Sequence, residues 1–144
     1  MSSTMLRNSV KYISGPISHG DRMENIHRAI MVGEYYFRRG YTCYIPHLDY
    51  SWIEQYPKEY EDIMMMDLAM LKRMRPLYDD ELVRLPGYSP GADQEVEYAC
   101  KHNIDVNIMT VIDCEAVEEA LGEAFPCMPV GQRDLKVLTK THWA

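Results

Sequence analysis

The feature that most constrains the fold is a regular alternation of short β-prone runs with longer segments of helical periodicity. The β-prone runs are residues 10–14, 41–45, 82–85 and 106–112. The segments of helical periodicity are residues 23–39, 60–74, 90–102 and 114–123, and Gly40 stands where a helix C-terminal glycine belongs. Strands that alternate with helices of this length form βαβ units. The sequence therefore predicts an α/β protein with a mostly parallel sheet of four to five strands and helices on both faces.

The length of the chain, 144 residues, fits a single domain. We place its core at about residues 10–124. In the remaining tail, residues 125–144, the segment 134–138 is compatible with an edge strand, and the last residues are expected to dock on a partner subunit.

The charge balance bears on the partners of the protein. With 15 basic and 22 acidic side chains, the net charge of −7 disfavours binding along a nucleic acid polymer. It does not oppose a free nucleotide, because a few local donors suffice to hold one phosphate. The sequence contains no run of about 18 apolar residues and therefore predicts no membrane span. Residues 1–7 lack the apolar stretch of a signal peptide. We expect a cytoplasmic protein, in the host cytoplasm if a phage encodes it.

The four cysteines show no metal-ligand spacing, and their apolar neighbours predict reduced, structural thiols. No glycine-rich dinucleotide fingerprint follows the first predicted strand, which disfavours a redox flavoprotein. We therefore expect neither a metal nor a cofactor.

Ligands of open parallel sheets bind beyond the carboxyl ends of the strands. Three loops, residues 15–22, 46–52 and 86–92, meet that description. In the third loop, Ser89 stands at a helix N-cap position and Pro90 at the first helical position. Gly91 and Ala92 leave the first backbone N–H groups open, which favours an anion at the helix start. The alternative is that this segment only starts a helix well.

Glu95 lies one turn into the same predicted helix, with Ala92 and Ala99 at spacings of three and four. This places its carboxyl group on the inward stripe, where a catalytic nucleophile belongs. The alternative is an acidic residue favoured by the helix dipole alone.

Asp67 is the second acidic residue on an apolar stripe, four residues from both Ile63 and Leu71. Burying an unpaired carboxylate costs several kcal/mol, so this position needs a reason. A structural cap for a neighbouring loop is the alternative. Two inward carboxyl groups on different helices suit glycosidic chemistry, in which one attacks or stabilises the sugar carbon and the other helps protonate the leaving group.

The order of several short motifs resembles the nucleoside 2-deoxyribosyltransferase superfamily, in particular its small, phage-associated branch. The matching residues are Tyr12-Ile13-Ser14-Gly15-Pro16-Ile17, Asn25, Gly40, Pro46-His47-Leu48, Asp67-Leu68, Leu85-Pro86-Gly87-Tyr88 and Ser89-Pro90-Gly91-Ala92-Asp93-Gln94-Glu95. The resemblance implies a flavodoxin-like Rossmann fold and a homodimer or larger homo-oligomer. It also implies that Glu95 is the catalytic glutamate, that Asp67 assists the departing base and that Tyr12 orients the catalytic carboxylate.

Ser89 further specifies the expected substrate. Deoxyribosyltransferases that use free nucleosides commonly carry an aspartate here, whereas the related nucleoside 5′-monophosphate N-glycosidases carry a serine that helps hold the phosphate. A neutral hydroxyl at a helix N-terminus tolerates a phosphate that a carboxylate would repel.

The first two loops supply the remaining candidate substrate-binding residues. In the first, Gly15 is a candidate substrate-binding residue, and Ser18, His19 and Arg22 are expected to complete the phosphate site; for His19, an exposed loop histidine is the alternative. In the second, Trp52 is a candidate for stacking on the base or, alternatively, for anchoring a subunit contact.

The leading expectation is an N-glycosidase that hydrolyses a (deoxy)nucleoside 5′-monophosphate to free base and sugar phosphate. The alternatives are a nucleoside 2′-deoxyribosyltransferase, in which a second base replaces water, and a non-catalytic nucleotide-binding or sensing module on the same fold.

Overall fold

The protein has an all-parallel sheet with the strand order β2-β1-β3-β4. We describe it from a computed structural model, which describes residues 7–124. The strands are β1 (Val10–Ser14), β2 (Thr42–Tyr44), β3 (Glu81–Arg84) and β4 (Asp105–Ile108). Because the order reverses between β1 and β3, the sheet has the topological switch point of flavodoxin-like folds. The predicted fold class is confirmed; the tail, with the predicted edge strand at 134–138, lies outside the described residues.

Five α-helices accompany the sheet in the described part of the chain. They are α1 (Arg22–Arg38), α2 (Tyr50–Gln55), α3 (Tyr60–Leu71), α4 (Pro90–Lys101) and α5 (Val111–Ala124). Two 3-10 helices span Pro46–Asp49 and Pro76–Tyr78. The predicted end of α1 is confirmed, since Gly40 follows it with a φ of +98°.

The two faces of the sheet carry separate apolar layers, because successive side chains of a strand point to opposite faces. On β1, Ile13 packs in the layer that α1 and α5 cover, together with Val83 of β3. Tyr12 packs in the opposite layer with Leu82, under α3 and α4. The two helices that carry Asp67 and Glu95 therefore lie on the face to which Tyr12 points.

Two predicted elements were wrong in part. Residues 46–52 were expected to form a loop, but they form the 3-10 helix and the start of α2. Pro46 favours a helical start, while α2 has no buried residue and hence no apolar stripe that a sequence pattern reveals. The predicted strand 106–112 ends at Ile108, because Thr110 and Asp113 cap α5 reciprocally: Asp113 Oδ2 accepts from the Thr110 N–H at 2.8 Å, and Thr110 Oγ1 accepts from the Asp113 N–H at 3.1 Å.

No helix within residues 7–124 is both long and apolar enough to cross a membrane. Within the same residues, Cys43, Cys100 and Cys114 are free thiols, and Cys127 lies outside them.

Candidate active site

A cavity of about 610 Å³ opens beyond the carboxyl ends of β1 and β3. All three predicted loops contribute to its wall, and α3 supplies the remaining side. The predicted residues that line it are Gly15, Ser18, His19, Arg22, Asp67, Ser89, Gly91, Ala92 and Glu95. Tyr12 lies behind this wall and reaches the site through Glu95. The structure thus brings together every predicted site residue except Trp52.

Glu95 lies on the inward face of α4 and is 6% exposed. Two hydroxyl groups of β1 hold its carboxyl group: Tyr12 Oη donates to Oε2, and Ser14 Oγ donates to Oε1 at 3.1 Å. Tyr12 and Ser14 are two residues apart on the strand, so both point to the face that α4 covers. This orients the carboxyl group by two donors from a buried central strand.

The pKa of the Glu95 carboxyl group lies near neutral pH. Burial raises the pKa of its carboxyl group from 4.5 to about 7, although the hydrogen bonds from Tyr12 and Ser14 and the charge of Arg84 act to lower it. Perturbed groups of this kind are concentrated at functional sites. Glu95 is therefore able to exchange a proton, or to act as a carboxylate, at physiological pH.

Asp67 lies on α3 and is 5% exposed. Its Oδ1 accepts a hydrogen bond from Tyr44 Oη at 3.4 Å. Burial, followed by the negative charge of Asp49, raises the pKa of Asp67 to about 6, against the lowering effect of the Tyr44 hydrogen bond. The cavity thus holds two buried acids whose pKa values both lie above their ordinary range.

The start of α4 is capped as predicted. Ser89 Oγ accepts a hydrogen bond from the Ala92 N–H at 3.1 Å, and Pro90 is the first helical residue. This bond uses an acceptor lone pair of Ser89, so its O–H remains able to donate into the cavity. Gly91 has a packing role as well: a Cβ there would stand 2.9 Å from Tyr60 Oη and 3.2 Å from Met64 Sδ. The absent side chain allows α4 to start close against α3.

The first loop is held in place by Asn25, whose Nδ2 donates to the carbonyl oxygens of Ile17 and His19 at 3.2 and 2.8 Å. The ring of His19 meets Tyr88 edge-on, with 5.0 Å between the ring centroids. This contact joins the first loop to the third at the rim of the cavity.

Arg22 lines the cavity at the start of α1, and its guanidinium group contacts the second loop. Nη1 donates to Tyr50 Oη at 2.6 Å, and Cζ lies 4.7 Å from the centroid of the same ring. Tyr50 and Tyr60 are the tyrosines that line the cavity. Neither was predicted, because a tyrosine in a predicted loop or first helical turn has no distinguishing sequence pattern.

Trp52 does not line the cavity; it is 48% exposed, and Lys58 Nζ lies 4.2 Å from its ring centroid. As part of α2, it is carried on a helix rather than in the loop that we predicted. The structure therefore does not place Trp52 in the wall of the cavity, and both its stacking on the base and its role in a subunit contact stay predictions.

His47 is a buried residue of the site that the sequence reasoning missed, although it stands in one of the matching motifs. Its Nε2 lies 3.1 Å from the carbonyl oxygen of Pro16, which can only accept, so Nε2 carries a proton. Burial lowers the pKa of His47 to about 4, so the ring is neutral near pH 7. His47 therefore ties the second loop to the first by a neutral hydrogen bond.

Arg84 is the second residue that was missed. It is buried at the end of β3, and its guanidinium group donates to the carbonyl oxygens of Leu85 and Gly87, the latter at 3.0 Å. It also pairs with Asp93 in the first turn of α4 at 3.0 Å. Arg84 thereby fixes the turn that leads into the helix of Glu95. A cation inside an otherwise apolar strand was the available signal.

Within residues 7–124, no group of three or more histidine, cysteine or acidic side chains is arranged to hold a metal ion. The described arrangement offers two buried acids, two hydroxyl donors to Glu95, and polar groups around a capped helix start. Such a set can shield or attack an electron-poor carbon, transfer a proton to a leaving group and bind an anion.

No protein-family model, curated protein or solved structure matches the chain. Function is therefore inferred from the geometry of the cavity.

Proposed function

We propose that the protein is an N-glycosidase that hydrolyses a (deoxy)nucleoside 5′-monophosphate to free base and sugar phosphate. The observation that carries the proposal is the burial of Glu95 and Asp67, from two different helices, in the wall of one cavity beside the α4 N-terminus. The motif resemblance to nucleoside 2-deoxyribosyltransferases supports the same chemistry.

In the proposed reaction, the ionised carboxylate of Glu95 attacks C1′ while the bond from C1′ to the base nitrogen breaks. The electron pair of that bond leaves with the base, which takes a proton from Asp67. Water then attacks C1′ and displaces Glu95, and the proton that water releases restores Asp67. The sum is one water consumed and one glycosidic bond cleaved.

The start of α4, in the wall of the same cavity, suits the 5′-phosphate. The Ser89 hydroxyl and the start of α4 supply neutral donors and the positive end of a helix dipole. Arg22, Ser18 and His19 line the same cavity. A volume of about 610 Å³ is within the range of small-molecule sites.

The test is chromatographic detection of free base from each ribo- and deoxyribonucleoside 5′-monophosphate and from the matching nucleosides. We expect release from monophosphates by the unmodified protein and a loss of at least about 1,000-fold in Glu95→Gln, since a nucleophile is removed. Glu97→Gln is the matched control, because Glu97 lies on the exposed side of the same helix and pairs with Lys101 at 3.0 Å.

The same assay with an added second base separates the alternatives. A new nucleoside that forms only with the added base would indicate a deoxyribosyltransferase instead. Nucleotide binding that is equal in the unmodified protein and Glu95→Gln, without turnover of any substrate, would contradict both enzymatic functions and indicate a binding module.

A further inference from the structure

Tyr12 and Tyr44 form a side-by-side pair at the edge of the site. They are register partners on the parallel strands β1 and β2, so their side chains point to the same face of the sheet. Their ring centroids are 5.2 Å apart at an interplanar angle of 33°. The two rings therefore support each other beneath α3 and α4.

The hydroxyl groups of this pair contact different acids. Tyr12 Oη donates to Glu95 on α4, and Tyr44 Oη donates to Asp67 on α3 at 3.4 Å. Each acid thus receives a hydrogen bond from a tyrosine whose strand is held by the sheet ladder.

We propose that Tyr44 is the positioning residue for Asp67, as the counterpart on β2 of the Tyr12 contact with Glu95. The part that concerns catalysis rests on the proposed function, in which Asp67 delivers the proton to the base. The 3.4 Å separation is long for a hydroxyl donor, and hydrogen bonds of catalytic groups often tighten only when substrate is bound.

The surroundings of Asp67 explain why this donor matters. Asp49 faces it from the 3-10 helix as a like charge, and Glu95 on α4 adds a second interacting carboxyl group. Tyr12 on β1 also interacts with it electrostatically. Among residues 7–124, Tyr44 is the side chain that donates to the Asp67 carboxyl group, so the hydroxyl counteracts a concentration of negative charge.

The first test is an NMR titration of carboxyl-labelled Asp and Glu, which needs no turnover. In Tyr44→Phe, we expect the titration midpoint of Asp67 to rise by about half to one pH unit, as for the loss of one hydrogen bond. The midpoint of Glu95 changes less than that of Asp67. Tyr12→Phe has the reverse pattern and raises the midpoint of Glu95 instead.

Tyr36→Phe is the control, because Tyr36 Oη accepts a hydrogen bond from Asn107 Nδ2 at 3.3 Å on the other side of the sheet. It should move neither midpoint. Near-UV circular dichroism of all three variants verifies that tertiary packing is kept. An Asp67 midpoint that stays unchanged in a folded Tyr44→Phe protein would overturn the proposal.

The second test measures whether the effect of Tyr44 on kcat depends on Asp67. If Tyr44 acts through Asp67, Tyr44→Phe lowers kcat in the unmodified protein, and the same change has no further effect in an Asp67→Asn background. An equal loss of kcat in both backgrounds would contradict the role. Absence of base release from the unmodified protein would instead refute the proposed function, while the titration would still decide whether Tyr44 controls Asp67.

Discussion

At the scale of single residues, the site depends on opposing influences at one carboxyl group. Burial raises the pKa of Glu95, whereas the hydroxyl of Tyr12 and that of Ser14 hold its ionised form. The balance leaves the pKa at about 7. In the proposed reaction, a carboxylate that burial has partly desolvated is more reactive than one that is fully solvated, and the two hydrogen bonds keep part of it ionised at neutral pH.

The pH dependence of kcat/KM should follow this balance. We expect a bell-shaped profile, because Glu95 must be ionised and Asp67 protonated, and the two apparent pKa values belong to the interacting pair. Glu95 has the higher pKa of the pair, about 7 against about 6 for Asp67, so its titration sets the basic limb. Tyr12→Phe removes a hydrogen bond that lowers the pKa of Glu95, so the basic limb should move to higher pH and the maximum should fall. Initial rates of base release between pH 4.5 and 9 measure the shift; an unmoved basic limb would contradict the assigned role of Tyr12.

The choice between nucleotide and nucleoside is expected to depend on Ser89. In Ser89→Asp, the N-cap is preserved, because aspartate caps helices as well as serine does. The added negative charge should raise KM for monophosphates by at least about tenfold, or ~1.4 kcal/mol, with a smaller effect on nucleosides. Ser89→Thr, which keeps a neutral hydroxyl, is the control; equal effects of Ser89→Asp on both substrate types would argue against a phosphate at this position.

At the scale of the elements, the loops of the cavity fit closely against one another. A Cβ on Gly87 would stand 2.9 Å from Pro16 Cγ, and one on Gly15 would stand 2.8 Å from Leu85 Cβ. The first and third loops therefore interlock through positions that have no side chain. His47 adds the second loop to this assembly through its hydrogen bond to Pro16.

The substitution Gly87→Ala tests the close contact between the first and third loops. Gly87 has a φ of +116°, which side chains rarely adopt, and the new Cβ would contact Pro16. We expect the free energy of unfolding to fall by about 1–3 kcal/mol. Gly122→Ala in α5 is the opposite control: no atom lies within 4 Å of its Cβ position, so stability should rise by about 0.5–1 kcal/mol. Chemical denaturation measures both, and equal effects would contradict the interpretation.

Most of the elements and much of the site were predictable from the sequence, because apolar periodicity and helix caps are local signals. Glu95 and Asp67 were found since a charged residue on an apolar stripe is anomalous in either helix. Tyr44 was missed as a site residue, since its role depends on the pairing of β2 with β1 that no local pattern shows. Arg84 was missed although a cation in an apolar strand is a local signal, and its role lies in contacts with Leu85, Gly87 and Asp93 at the turn into α4. The strand end near Ile108 was misplaced because the reciprocal Thr110 and Asp113 cap was overlooked.

At the scale of the whole molecule, the buried acids oppose folding at neutral pH. The pKa of Glu95 rises from 4.5 to about 7 on folding, so between these pH values the folded protein binds more protons than the unfolded chain. The free energy of unfolding therefore falls as pH rises through this range. Asp67, with a pKa raised to about 6, acts in the same direction. His47, whose pKa is lowered to about 4, acts oppositely, since its stabilising contribution is lost as pH falls.

A comparison of variants isolates the contribution of Glu95. In Glu95→Gln the ionisation is absent, so the stability of the variant relative to the unmodified protein should increase between pH 5 and pH 8 by on the order of 2–3 kcal/mol. Glu97→Gln should show no such trend, because Glu97 is exposed. Urea unfolding at each pH measures the difference; a constant difference across the range would show that Glu95 does not titrate in the folded state as inferred.

The assembly state stays a prediction. A homodimer or larger homo-oligomer is expected, and sedimentation velocity at several protein concentrations tests it. A monomer at all concentrations would contradict that expectation and the subunit-contact role of Trp52.

The central position of β1 has a consequence for biosynthesis. This strand is made before β3 and pairs with it at a sequence distance of about seventy residues, as between Lys11 and Glu81. Parallel pairings of this range are slow to form, and Tyr12 meets Glu95 later still in the chain. During translation, β1 therefore leaves the ribosome with Tyr12 and Ile13 lacking their β3 partners. The wall of the cavity around Glu95 is therefore completed only after β3 and α4 have been made.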